Sequence, residues 1–228
     1  MLDVSSQSAV SGQEPTRSGM VYNLLTIGVL VLLLAVGTAY LIDMLGRGDQ
    51  VRTPTLGDTE NVTQTISGKD LAIPTSWFRF GEQIRSGFTD QIDLKLGFAP
   101  EAGAPPAWVN VTLLPRSRAR ASASLLDRVY LHQFANENLS GVPGLVGKPM
   151  NGTVGYAGET VWYDALSPNP FVAKCQQPVT PDAGAQCVRT VHLASGIAAV
   201  YTFDARLLEH WRQFDDQMAL WLRPIGAW

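Results

Sequence analysis

From Leu24 to Ile42 the chain reads LLTIGVLVLLLAVGTAYLI, with no charge and no proline. As a helix rising about 1.5 Å per residue, this run spans roughly 28 Å, close to the roughly 30 Å hydrocarbon core of a bilayer. Tyr22 and Tyr40 sit near its ends, where amphipathic rings favour the headgroup level, and Asp43 and Arg47 close it. A buried soluble helix is a poor account of a run this long and apolar on every face. A cleaved signal peptide is the stronger rival, because Gly37-Thr38-Ala39 offers small residues of the kind signal peptidase accepts. Residues 1–19, however, set Arg17 against Asp3 and Glu14 and so lack a positive n-region, and the apolar run continues past Ala39. The sequence therefore predicts a transmembrane helix over 20–43, touching lipid through Leu24 to Ile42.

The other segments follow from composition. Residues 1–19 are Ser-, Gln- and Gly-rich without apolar periodicity and read as a disordered tail. Residues 44–64, LGRGDQVRTPTLGDTENVTQT, read as a polar linker, and residues 65–228 as the folded domain. The net charge of -3 over 228 residues excludes the broad positive field of a non-specific nucleic-acid binder.

Within the domain, Ser67 to Pro74 is a short strand ending at a proline. Gln91 to Phe98 alternates cleanly, with Ile92, Leu94, Leu96 and Phe98 on one face and Asp93 and Lys95 on the other. Trp108 to Leu114 repeats the period through Val109, Val111 and Leu113. A helix follows, with Ser122 or Ser124 placed to cap it and Leu125, Leu126, Val129, Tyr130 and Phe134 at helical spacing through about Asn138. Strands are then expected near Val146–Pro149, Thr153–Tyr156, Glu159–Ala165, Phe171–Gln176, Gln186–Leu193 and Ile197–Phe203. Asp204 is placed to cap a last helix, whose Leu207, Trp211, Phe214, Met218 and Trp221 form an apolar stripe. The sum is an α+β class: a largely antiparallel sheet covered by two helices and preceded by one transmembrane helix.

Three stretches, LAIPTSWFRF, SASLLDRVYLHQF and GIAAVYTFDARLLEHWRQFDDQMALWL, resemble the opening strand, first helix and closing strand and helix of the PsbP-like fold. The resemblance covers roughly residues 65–223 and extends to bacterial envelope members of that group. It implies an antiparallel sheet flanked by helices that binds proteins or small ligands, with no shared catalytic residues.

Cys175 and Cys187 flank the turn-rich QQPVTPDAGAQ. If their strands pair as a hairpin, a disulfide closes a loop worth roughly 3 kcal/mol and implies an oxidising compartment. Two free thiols, or a metal site short of ligands, are the alternatives. Lys and Arg counts beside the apolar run (Arg17 before it, Arg47 and Arg52 after it) point to a cytoplasmic domain, whereas a disulfide points to the periplasm. A one-charge difference decides less, so the periplasmic side of a bacterial inner membrane is the expectation. Arg116, Arg118 and Arg120, between a strand and a helix, are candidate contacts for an anion or a lipid headgroup, against the plainer reading of a solvated loop. Trp77, Phe78 and Phe80 are candidate contacts for a protein partner.

His132, His192 and His210 fall on different elements, and there is no nucleophile elbow, P-loop or dinucleotide glycine pattern. No catalytic residue, metal or cofactor is expected. The function classes left open are a binding or accessory module contacting another envelope protein, a single-pass subunit of a larger membrane complex, and an envelope hydrolase with an unrecognised site.

Overall fold

The computed structural model describes residues 17–46, 53–101, 105–152, 155, 157–178 and 184–228. The chain divides into two compact units, Met1–Val51 and Arg52–Trp228. The first holds helix α1 (Arg17–Gly46), whose window Leu24–Leu41 is long and apolar enough to cross a membrane. Between Leu24 and Leu41 its leucine, isoleucine and valine side chains are exposed all round. The hydroxyl of Thr38 donates back to the carbonyls of Leu34 and Ala35, both at 2.9 Å, so that polar group is satisfied inside the helix.

The second unit is α+β. Strands β1 (Asn61–Ile66) and β2 (Lys69–Pro74) pair as a hairpin, and β3 (Gly87–Phe88) lies parallel to β1. The hairpin turns on Ser67 and Gly68 with φ of 51° and 74°, the two successive positive values that a type I′ turn demands. The main sheet holds β4 (Ile92–Phe98), β5 (Ala107–Pro115), β6 (Val146–Pro149), β7 (Glu159–Tyr163), β8 (Val172–Gln176), β9 (Gln186–His192) and β10 (Ile197–Asp204). Their spatial order is β4-β5-β10-β9-β8-β7-β6, antiparallel throughout. Helix α2 (Ser122–Arg128) follows β5, and α3 (Trp211–Leu222) follows β10.

The alternation of β4 and β5 delivers Ile92, Leu94, Leu96, Phe98, Val109, Val111 and Leu113 to one core, all fully buried. Helix α3 covers that core with Phe214, Met218, Trp221 and Leu222. Phe214 is its hub, with ring centroids 4.6 Å from Phe203, 5.5 Å from Phe98 and Tyr201, and 6.2 Å from Phe171. A smaller cluster of Leu126, Met150, Val161 and Val172 joins α2 to β7 and β8.

Several elements depart from their sequence pattern. The folded part begins ahead of Thr65, inside the stretch that reads as linker: Thr55 and Asp58 close a turn, Asp58 accepts from Ser76, and Trp77 Nε1 donates to the Thr55 carbonyl at 2.9 Å. The sequence does not mark strand β1, because one of its inward positions is Gln64, whose buried amide donates to the carbonyls of Gln83 and Arg85 at 2.6 and 2.9 Å. The helix expected through Asn138 stops at Arg128 and gives way to a 3-10 turn at Tyr130–His132. Beyond that turn Phe134 and Leu139 bridge to Met150 and Gly147, so sheet pairing outcompetes helical spacing there. Asp204 does cap, accepting from Arg206 N at 2.9 Å, but at the head of a 3-10 stretch (Ala205–His210) that leads into α3. Thr153, Val154 and Tyr156, in an expected strand, lie outside the described residues.

Asp93, expected to face solvent, is buried. Its carboxylate accepts from Thr112 Oγ1 at 2.6 Å, Gln91 Nε2 at 2.8 Å and Gln83 Nε2 at 2.9 Å. Burial pushes its pKa up, but these hydrogen bonds and the charge of Arg79 outweigh it and hold the carboxyl below its ordinary value. A depressed folded pKa stabilises above the unfolded carboxyl pKa of about 3.9, and that stability is lost as pH falls through the folded value. Asp93→Asn should therefore cost about 1–3 kcal/mol at neutral pH. It should also flatten the loss of stability below about pH 4, measured by urea denaturation across a pH series. A variant with the wild-type acid slope would show that other carboxyls govern it.

Candidate functional site

Two features stand out in the second unit: a cleft at the edge of β9, and an exposed apolar segment before β4.

The cleft arises where the sheet forks. Strands β8 and β9 pair through Gln176↔Gln186, Cys175↔Cys187 and Lys174↔Val188, and the ladder stops there. Continuing that register, the next rung would join the Val172 carbonyl to the Thr190 amide. Neither group meets the other. Thr190 N–H donates to the buried hydroxyl of Ser122 at 2.9 Å, and the Val172 carbonyl accepts from Arg189 Nη1 at 3.2 Å. Ser122, expected as a helix cap, works instead as a wedge, and the α2 N-cap residue Ala121 has no capping side-chain bond. Pro170, without an N–H, stands at the next position along and cannot reclose the ladder.

The gap opens into a cleft of about 310 Å³, lined by Ala121 and Ala123, by Asp215 and Trp228, and by β9 from Arg189 to His192. Arg189 is buried, and it is paired: Nε donates to Asp215 Oδ1 at 3.0 Å and Nη2 to Oδ2 at 2.6 Å, with Phe171 4.3 Å beneath the guanidinium. Tyr201, opposite Arg189 in the β9–β10 register, is fully buried, and its hydroxyl meets no partner among the described residues. Burial pushes the phenol above its ordinary pKa, and the Asp215 charge adds to that, so it stays neutral.

His192 lies on the cleft wall. Arg116 Nε donates to its Nδ1 at 3.0 Å, which leaves Nε2–H to donate to the Ala119 carbonyl at 2.8 Å. Both ring nitrogens are engaged, so neither is free to serve as a base. His132 and His210 do not line the cleft. Among the described residues no three His, Cys, Asp or Glu side chains gather as a metal site.

The three arginines do not converge on a shared anion. Arg118 pairs with Asp90 at 2.7 Å, Arg116 is turned to His192, and Arg120 is exposed beside Ala121. Cys175 and Cys187 are bonded as a buried disulfide across β8 and β9.

Of the three aromatic candidates for partner contact, Trp77 and Phe78 are buried. Trp77 packs edge-on to Trp221 at 4.9 Å, because the Thr75–Trp77 turn directs it under the hairpin. Phe80 is 38% exposed, and it opens a segment that also displays Ile84 at 41% and Phe88 at 91%. Arg79 adjoins Phe80 and Arg85 adjoins Ile84 in sequence, and the Arg79 guanidinium lies 4.9 Å from the Phe80 ring. Ile84 and Phe88 were missed by sequence reading, since IRSGF has no period that separates exposed from buried apolar residues.

No family model matches the chain, and no curated protein matches it. Two solved structures are similar in fold. An immunity protein of the Stenotrophomonas maltophilia type IV secretion system aligns over 73% of this chain and 93% of its own, with a TM-score of 0.50 and 12% identity. The Neisseria meningitidis iron-regulated outer membrane lipoprotein FrpD aligns over 76% of this chain and 96% of its own, with a TM-score of 0.46 and 10% identity. At such identities the first likeness shows the fold alone, and no residue role follows from either.

Proposed function

We propose that this chain is a single-pass protein of a bacterial inner membrane whose periplasmic α+β domain binds another envelope protein. The observation that carries this reading is the segment from Arg79 to Phe88. It places three large apolar side chains in solvent beside two arginines, on a domain that otherwise encloses most of its aromatics. Aromatic and arginine side chains are the anchors that protein interfaces favour. The apolar helix supports the membrane half of the proposal, and the disulfide supports the periplasmic half. An immunity protein of a secretion system shares the fold, and the resemblance to the PsbP-like group implies a binding role too. Neither supplies a residue of the interface.

The test is a photo-crosslinking amino acid placed at position 88 of the full-length chain in its native membrane. A single dominant protein adduct is expected, abolished by Ile84→Glu with Arg85→Glu in the same chain. Loss of two interface anchors typically weakens binding at least tenfold. Adducts to lipid alone, or a smear unchanged by the double variant, would overturn the reading.

A further inference from the structure

We propose that the fork between β8 and β9 is a second binding site, which takes up an extended, acidic segment of a protein partner as an added strand along β9. The proposal accepts the reading that the partner is a protein, but it rests on different residues.

The first argument is main-chain direction. Leu193 N donates to the Ile197 carbonyl at 2.8 Å, so odd-numbered residues of β9 turn their main-chain groups toward β10. Even-numbered residues turn theirs the other way, toward β8. Thr190 N–H is taken by Ser122, and beyond Val188 no β8 rung meets the Thr190 carbonyl or the N–H and carbonyl of His192. These three groups border the cleft, in the alternation an incoming strand uses.

The second argument is that the fork is held open by side chains that are costly to bury. Arg189 and Ser122 are both buried, and each takes one half of the missing Val172–Thr190 rung. A buried guanidinium with a paired carboxylate is no cheap way to stabilise a sheet, and an ordinary ladder would need neither. Local rules broken in this way mark sites of use more often than sites of stability.

The third argument is charge. Arg189 and Asp215 neutralise each other. Arg116 bonds to the cleft-lining His192, and Arg120 adjoins the cleft-lining Ala121; among the described residues neither is paired with a carboxylate. Arg116 thus brings a positive charge with no carboxylate partner among the described residues to the cleft wall at His192, Arg120 stands one residue before Ala121 in sequence, and this charge complements an acidic chain.

The test uses the full-length protein in detergent or nanodiscs and fluorescein-labelled eight-residue peptides alternating Val or Thr with Glu. Matched peptides carry Lys in place of Glu, or methyl groups on alternate backbone nitrogens. The acidic peptides should bind, the basic ones should not, and N-methylation should weaken binding at least tenfold. The His192 amide should gain protection from hydrogen exchange on binding. Arg116→Glu with Arg120→Glu should weaken binding at least tenfold while leaving the melting temperature within a few degrees, and Phe88→Glu should leave binding unchanged. Equal binding of the N-methylated peptide, displacement of the peptide by phosphatidylglycerol vesicles, or no binding at 1 mM would each overturn the proposal. A crosslinked adduct at position 88 with no peptide bound at the fork would sink this inference alone.

Discussion

Phe214→Ala should lower the unfolding free energy of the domain by about 3–5 kcal/mol. Phe214 is fully buried and its ring meets four other aromatic rings, from β4, the approach to β8, and β10. Truncation removes both the transfer free energy of the ring and the contacts of its neighbours, and aromatics held by three separate elements do not collapse easily into the space. Phe214→Leu keeps most of the volume and should cost less than half as much. Against a typical total of about 5–15 kcal/mol, the alanine variant leaves a marginal domain. Urea titration of the full-length chain in detergent, followed by tryptophan fluorescence, measures both. A cost below about 1 kcal/mol for the alanine variant would mean that α3 does not seat on the sheet as described.

How much of this was legible beforehand depends on whether the deciding information was local. Helix α1 was readable because an unbroken apolar run declares itself without reference to the rest of the chain. Strands β4 and β5 were readable because a core on one face imposes a period of two. The stripe of α3 was readable for the same reason at helical spacing. Strand β1 is hidden because the amide nitrogen of Gln64 finds its partners in the carbonyls of Gln83 and Arg85, which only the fold brings near. Asp93 looked like a solvent-facing residue for the same reason: its partners Thr112 and Gln83 come from other segments.

The fork is the extreme case. Its existence depends on Ser122, Arg189 and Val172, three residues that no periodicity links. The sequence places Ser122 or Ser124 to cap α2, but the Ser122 hydroxyl accepts from the Thr190 amide and the N-cap position falls on Ala121, because an N-cap pattern is local and that amide is not. The charge of the arginine loop is plain in the sequence, but where Arg116 and Arg118 go is set by His192 and Asp90. The disulfide lies between these extremes: two cysteines flanking a turn-rich loop suggest a pair, and the β8–β9 register supplies it.

Replacing both cysteines, Cys175→Ala with Cys187→Ala, should cost about 3 kcal/mol and unzip the fork toward its closed end. The bond spans 12 positions in sequence. Closing a loop of that size removes about 3 kcal/mol of chain freedom from the unfolded state. Both sulfurs are buried against the same core as Phe203, which alanine fills incompletely, so the entropic figure is a lower bound. Only three residue pairs join β8 to β9, and the bonded pair is the middle one, with Arg189 and Ser122 already wedging the ladder beyond Val188. Without the bond, the amide of Val188 should lose hydrogen-exchange protection well before those of β4 and β5. The same cysteines report on compartment. In intact cells, an impermeant maleimide should label neither cysteine before reduction, and both after reduction and unfolding. Labelling of freshly harvested, unreduced cells by this impermeant reagent would mean free thiols on the periplasmic side and would remove the staple across the fork, whereas unreduced thiols that react only after the cells are lysed and denatured would overturn the periplasmic reading.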